Sequence, residues 1–124
     1  MSAAAQRGEP DGFVVHLIEL LRGLGRVEAQ RMFGGHGIYC DGLFIAIVLD
    51  SVLYLKADEA SRAKFEAARL AQFEYARKGK RATLNFYRAL EEALESPRVA
   101  LQGGREALAA ALRARAKSAW RRRR

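Results

Sequence analysis

One cysteine, two prolines and two histidines are all that this 124-residue chain carries of the residues that most often staple, kink or ligate. A lone Cys40 excludes an intramolecular disulfide and gives no sign of an oxidising compartment. Together with His16 and His36 it makes only three scattered nitrogen and sulfur donors. No pair of them has a C-x-x-C-like spacing, so neither a zinc site nor any cofactor is expected. Long apolar runs are missing too. The longest, Leu43 to Leu49, falls far below the roughly 20 residues of a spanning helix. Met1 to Gly12 is polar with small residues and lacks the apolar stretch of a signal peptide. The expectation is a soluble cytoplasmic protein with no membrane partner.

Acidic residues also run out, because none follows Glu106. The net charge is +8, and seven cations lie beyond Leu112: Arg113, Arg115, Lys117 and Arg121 to Arg124. The rest of the chain holds fifteen basic and fourteen acidic residues and is nearly neutral. A basic balance points to nucleic acid, and here that pointer belongs to the C-terminal segment. The expected division is a flexible start over 1–12, one folded domain over 13–112 and a basic tail over 113–124, the tail being a non-specific nucleic-acid contact or a disordered end.

What is present is a change of hydrophobic period. Phe13, Leu17, Leu20, Leu21 and Leu24 recur at helical spacing, and Gly25 ends that helix. From Gln30 the pattern becomes β. Gly37 to Cys40, Leu43 to Leu49 and Val52 to Lys56 are separated by Asp41-Gly42 and Asp50-Ser51, two-residue hairpin signals that place Tyr39 opposite Phe44 and Ile47 opposite Tyr54. Strict alternation puts Phe44, Ala46 and Val48 on one face and Ile45, Ile47 and Leu49 on the other. An antiparallel strand covered on one side alternates apolar with polar, so both faces of this strand need cover. Asp58 reads as an N-cap for a helix to about Leu70. A second hairpin, Phe73 to Lys78 and Arg81 to Tyr87, turns around Gly79-Lys80, pairs Phe73 with Phe86 and Tyr75 with Leu84, and has one apolar side. Ser96-Pro97 opens a last helix striped by Leu101, Leu108 and Leu112, with Gly103-Gly104 loosening its first turns. The fold class is α/β (α+β) in two layers, α-β(3)-α-β(2)-α with an antiparallel sheet.

The run Arg31-Met32-Phe33-Gly34-Gly35-His36-Gly37-Ile38-Tyr39, followed by the hairpin into Leu53-Tyr54-Leu55-Lys56, resembles the TfoX N-terminal domain family of TfoX/Sxy competence regulators. Asp58-Glu59 with Arg62 and Phe65, then Phe73-x-Tyr75-x-Arg77-x-Gly79 and Tyr87, agree with it, and the likeness covers about Val27 to Leu112. The chain departs from the pattern at Phe86 to Glu92, where a Tyr-Trp-x-x-Pro-Glu-Glu run is usual, and at Gly103, where an aromatic is typical. The resemblance implies a secretion-chaperone-like two-layer fold. It also implies likeness to stand-alone members without the C-terminal helical domain, whose role is generally unassigned.

Two groups of residues are candidate contacts. Gly34-Gly35-His36-Gly37, with Arg31 beside it, could cradle an anion on bare N–H groups. Phosphate loops lead from a strand into a helix, however, whereas this one leads into a strand, which favours a bend or bulge needing glycine. Arg77, Lys78, Lys80 and Arg81 surround one hairpin tip, to grip phosphate or simply to keep an edge soluble. A Cys40–His36 dyad has no orienting third group, so no enzyme is expected. The two-faced strand points to a homodimer through Ile45, Ile47, Leu49, Val52 and Tyr54. The leading function is a regulatory protein acting through protein contacts with an unidentified partner, linked to competence or transcription. A weak nucleic-acid binder using the hairpin tip and basic tail is the alternative, and a small-molecule or catalytic domain at the glycine bend comes third.

Overall fold

The computed structural model describes residues 12–32 and 34–123. Phe33, Arg124 and residues 1–11 of the expected flexible start lie outside them. The order is α1 (Gly12–Leu20), a short 3-10 turn (Arg22–Leu24), β1 (Val27–Met32), β2 (Gly35–Cys40), β3 (Leu43–Leu49), β4 (Val52–Lys56), α2 (Arg62–Ala67), β5 (Gln72–Arg77), β6 (Lys80–Arg88), a second 3-10 turn (Glu91–Leu94) and α3 (Pro97–Arg122). The six strands form one antiparallel sheet ordered β1-β2-β3-β4-β6-β5. The two-layer α+β class is as expected. The first meander has four strands and not three, because Val27–Met32 joins it at the edge.

All three helices contribute to one core against one face of the sheet. Val14, Leu17 and Leu20 of α1, Phe65 of α2 and Ala100, Ala107 and Ala111 of α3 pack with Ile38, Cys40, Ile45, Ala46, Val48, Leu53, Leu55 and Tyr87. A second cluster lies across the sheet, centred on Ile47, Phe73 and Phe86. Among the described residues it is built from strand side chains alone.

The hairpin signals are visible in the backbone. Asp41 and Gly42 have φ of 49° and 83°, and Asp50 and Ser51 have 52° and 59°; positive φ at both central positions is what a type I′ turn requires. The pairs Tyr39–Phe44 and Ile47–Tyr54 both form. Between them the alternation breaks. Ile38 pairs with Ala46 while Tyr39 pairs with Phe44, so Ile45 is an extra residue in β3, a bulge. Ile45, Ala46 and Val48 therefore belong to the helix-side core, and Phe44, Ile47 and Leu49 to the opposite face. This corrects strict alternation and removes Ile45 from the candidate dimer face.

The second hairpin turns at Lys78-Gly79 (φ 53° and 77°) with Arg77 opposite Lys80, two residues out of the expected register near its tip. A shift of two preserves the faces, so Phe73, Tyr75, Leu84 and Phe86 still share one side. Asp58 does not cap a long helix. Its carboxylate accepts from the Ser61 amide while Ser61 Oγ accepts from the Asp58 amide, each at 3.1 Å, and α2 is a short helix after that turn.

Ser96 and Pro97 open α3 as read, with Ser96 Oγ accepting from the Val99 amide. The helix runs unbroken through Gly103-Gly104, for a packing reason. A Cβ at Gly104 would lie 2.6 Å from Leu24 Cδ1, and one at Gly103 2.9 Å from Leu55 Cδ1. The buried seam is Ala100, Gly104, Ala107, Ala110 and Ala111, whereas Leu112 of the expected leucine stripe is exposed. Nor does the basic segment dangle as a tail, because Arg113 to Arg122 continue α3.

Candidate functional site

The outer face of the sheet, opposite the helices, carries two trios of aromatic rings around one apolar cluster. Tyr39 stacks on Phe44 at 5.1 Å between ring centres, and Phe44 meets Phe86 at 4.8 Å. Tyr54 meets the edge of Phe73 at 5.0 Å, and Phe73 stacks on Tyr75 at 6.2 Å. These are the offset and edge-on arrangements that ring quadrupoles favour. Lys56 Nζ sits 5.1 Å over the Phe86 ring, where burial pushes its ammonium pKa down while nearby Asp58 partly opposes the shift. Three side chains at the base of this layer, Ile47, Phe73 and Phe86, are almost wholly buried. Above them Phe44, Leu49, Tyr54, Tyr75 and Leu84 are half-buried.

Of the five expected dimer-face residues, Ile47, Leu49 and Tyr54 lie in this layer. Val52, opposite Leu49 in the β3–β4 pairing, is half-exposed beside it. Sequence reasoning put Phe73, Tyr75, Leu84 and Phe86 on one face of the second hairpin but did not join them, or Tyr39, Phe44 and Lys56, to the candidate dimer face. The signal was present in two separate pairs of strands, but only the β4–β6 pairing, with Lys56 opposite Phe86, brings them together.

The glycine bend has a steric explanation. Gly34 has φ of 79°. A Cβ on Gly35 would fall 2.0 Å from the Val48 carbonyl oxygen, and one on Gly37 would fall 2.6 Å from Met32 Cε and 3.0 Å from Phe44 Cε1. Arg31 pairs with His36 across β1 and β2 and is exposed. Two clefts lie elsewhere. One of about 310 Å³ between α2, the second 3-10 turn and α3 is lined partly by Leu55, Phe65 and Val99. The other, of about 400 Å³, lies between α3 and the β4–α2 turn, and neither includes Gly34, Gly35, His36 or Gly37.

Cys40 and His36 sit four residues apart on β2, about 13 Å along an extended strand, so they form no dyad. Cys40 is buried; burial pushes its thiol pKa up, as does the Asp41 carboxylate beside it. His16 Nε2 lies 2.7 Å from the Leu94 carbonyl oxygen. Arg77, Lys78, Lys80 and Arg81 are exposed at the hairpin tip, Arg81 within 3.7 Å of Glu74. On the helical layer, Arg113 donates to both Asp58 oxygens at 2.6 and 3.0 Å, and Lys117 to Glu59 at 3.0 Å. The Arg113 bonds hold the Asp58 carboxyl at about 2.

The TfoX N-terminal domain model matches residues 19–111, which includes the glycine bend, the whole sheet and most of α3. The chain belongs to the TfoX N-terminal domain family. The TfoX N-terminal match thus spans both faces of the sheet and stops just short of the basic end of α3. The chain is 31% identical over 68 residues to the DNA transformation protein TfoX1 of Aliivibrio fischeri, covering 55% of this chain and 32% of that one. It is 34% identical over 73 residues to Protein Sxy of Escherichia coli, covering 59% and 35%. It therefore spans about a third of the length of the curated relatives it matches.

Proposed function

We propose that this TfoX N-terminal domain is a non-enzymatic regulatory module that serves DNA transformation or its transcriptional control through protein contacts, with the outer face of the sheet as its contact surface and a second copy as the first occupant. The observation that carries the reading is the aromatic layer itself. Phe44, Leu49, Tyr54, Tyr75 and Leu84 lie half-buried on a face to which, among the described residues, no helix contributes. A contiguous apolar patch of this kind usually marks an interface, and a two-fold dimer is the commonest way for one chain to bury its own. The relative named a DNA transformation protein supports the regulatory setting. The buried, proton-retaining Cys40, set apart from His36, supports a role without nucleophilic chemistry.

Sedimentation equilibrium at micromolar concentration tests the occupant. The dimer predicts twice the chain mass of 13.8 kDa, reduced to the single mass by Leu49→Glu. Leu49 is the better probe than Ile47, which is wholly buried, so that a charge there would damage the fold. A wild-type mass of 13.8 kDa overturns self-association.

A further inference from the structure

Among the described residues, a surplus of seven positive charges is gathered at one end of the molecule. α3 lies against β4 with Gly103 at Leu55, and ten residues later Arg113 reaches Asp58. The Ala57 amide donates to the Asn85 carbonyl at 2.8 Å, so Asp58 and Asn85 stand at one level. From that level two arms leave in the same direction. The first is α3 from Arg113 to Arg122, about 14 Å of helix. The second is β6 followed back from Asn85 to Lys80, about 17 Å of strand that ends in the Lys78-Gly79 turn. Between their roots lies the cleft of about 400 Å³ lined by Asp58, Glu59, Asn85, Arg113, Ala114 and Lys117.

The helical arm carries Arg113, Arg115, Lys117, Arg121, Arg122 and Arg123, and the hairpin arm carries Arg77, Lys78, Lys80 and Arg81. Against these ten cations stand Asp58, Glu59 and Glu74, a surplus of seven; with Arg124 it accounts for the chain's entire +8. The acids have a positional role. Asp58 and Glu59 pin Arg113 and Lys117 at the root, which fixes the helical arm and leaves the cations beyond it to solvent. Arg121 follows Arg113 and Lys117 on the same helix stripe at i, i+4, i+8. Trp120, next to it, is 60% exposed.

We propose that these two arms hold the phosphate backbone of duplex nucleic acid, without sequence preference. Charge density selects this partner. A duplex presents one phosphate charge per about 1.7 Å, so an arm of about 17 Å spans about ten phosphates, enough to engage all seven surplus cations. A single strand, or an extended peptide acidic at every residue, presents about one charge per 3.4 Å and offers only about five over the same length. The helical arm lies on the other side of the sheet from the aromatic layer, whereas the hairpin arm borders that layer, because Arg77 and its partner Lys80 share the strand face of Tyr75 and Leu84.

Anisotropy of a fluorescein-labelled 24-base-pair duplex of arbitrary sequence, titrated with the full chain between 50 and 200 mM salt, tests the assignment. The expected slope of log K against log salt is about −4 to −6. Substituting Arg77→Gln, Lys78→Gln and Lys80→Gln together should weaken binding at least tenfold and flatten the slope by about 2. The set Arg115→Gln, Arg121→Gln and Arg122→Gln should do the same. Both sets leave the Arg113–Asp58 and Lys117–Glu59 pairs in place, and thermal melts followed by circular dichroism verify that the variants fold. Wild-type binding by the hairpin set overturns the two-arm site, and a slope shallower than about −2 overturns phosphate contact at these cations. Displacement of the duplex by poly-glutamate as effectively as by unlabelled duplex, at equal charge, overturns the choice of nucleic acid.

Discussion

The same chemical change, glycine to alanine, should cost three different amounts at three neighbouring positions of the bend. At Gly35 the new methyl would sit 2.0 Å from the Val48 carbonyl oxygen. That obstacle is backbone at the end of the β2–β3 pairing, where Val48 partners His36, so relief requires prising the strand ends apart by more than about 1 Å, an overpacking worth up to about 3 kcal/mol. At Gly34 no described residue lies within 4 Å of the added methyl, and the cost is conformational: a φ of 79° destabilises an L-residue by about 1 kcal/mol. At Gly37 the nearest atoms are the Met32 Cε and Sδ, the tip of a flexible side chain that can swing aside, so the cost stays below about 1 kcal/mol despite a nominal contact of 2.6 Å. Urea unfolding reads the series. With a slope of about 1.5 kcal/mol per molar, the midpoint should fall by up to about 2 M for Gly35→Ala and by less than 1 M for the other two, with the slope unchanged. Gly34→Asn should be milder than Gly34→Ala, since Asn tolerates the left-handed region. A Gly35→Ala protein as stable as wild type, or a Gly37→Ala protein less stable than Gly35→Ala, would refute the steric account and return the glycines to a ligand.

Asp58 gives a pH signature. Its folded carboxyl is held at about 2 by Arg113, below the 3.8 of an ordinary Asp, so its contribution is present above about pH 4 and is lost as pH falls towards 2. The full difference corresponds to about 2.5 kcal/mol, which the solvent exposure of the pair reduces to about 1 kcal/mol. Asp58→Asn should therefore be less stable than wild type by that amount at pH 7 and equal to it at pH 2, and a gap that persists at pH 2 would count against the ion pair. Cys40, buried with a raised pKa, should resist a disulfide-exchange reagent in the native protein at pH 8 and react stoichiometrically in urea. Fast native labelling would contradict its burial.

Sequence made some features legible and hid others for identifiable reasons. The Asp41-Gly42 and Asp50-Ser51 turns were readable because their residue types tolerate positive φ, and two correct cross-strand pairs followed. The bulge at Ile45 was not readable. In a strand apolar at all seven positions, no polar residue marks where alternation slips. Strand β1 hid for the opposite reason: its apolar alternation is only Val27 and Ala29 on an exposed edge, and Gln30-Arg31 then breaks it. In α3 the leucines suggested a stripe, yet close approach to the sheet and to Leu24 admits only alanine and glycine at the seam. That both faces of β3 carry apolar side chains was legible from its composition. Which rings share the outer face depends on β6 crossing to pair with β4, a long-range choice that local pattern does not encode.

The bulge in β3 also divides labour within a single strand. Ile45, Ala46 and Val48 are locked into the helix-side core, at 0%, 0% and 4% exposure, where a change of one methylene would disturb the contacts of α3. Phe44 and Leu49 face the other way and are only half-buried. Substitutions at these two positions leave the helical layer untouched, so mutation and selection can reshape the outer face without renegotiating the scaffold. A domain built in this way can vary its outer face while keeping one inherited frame.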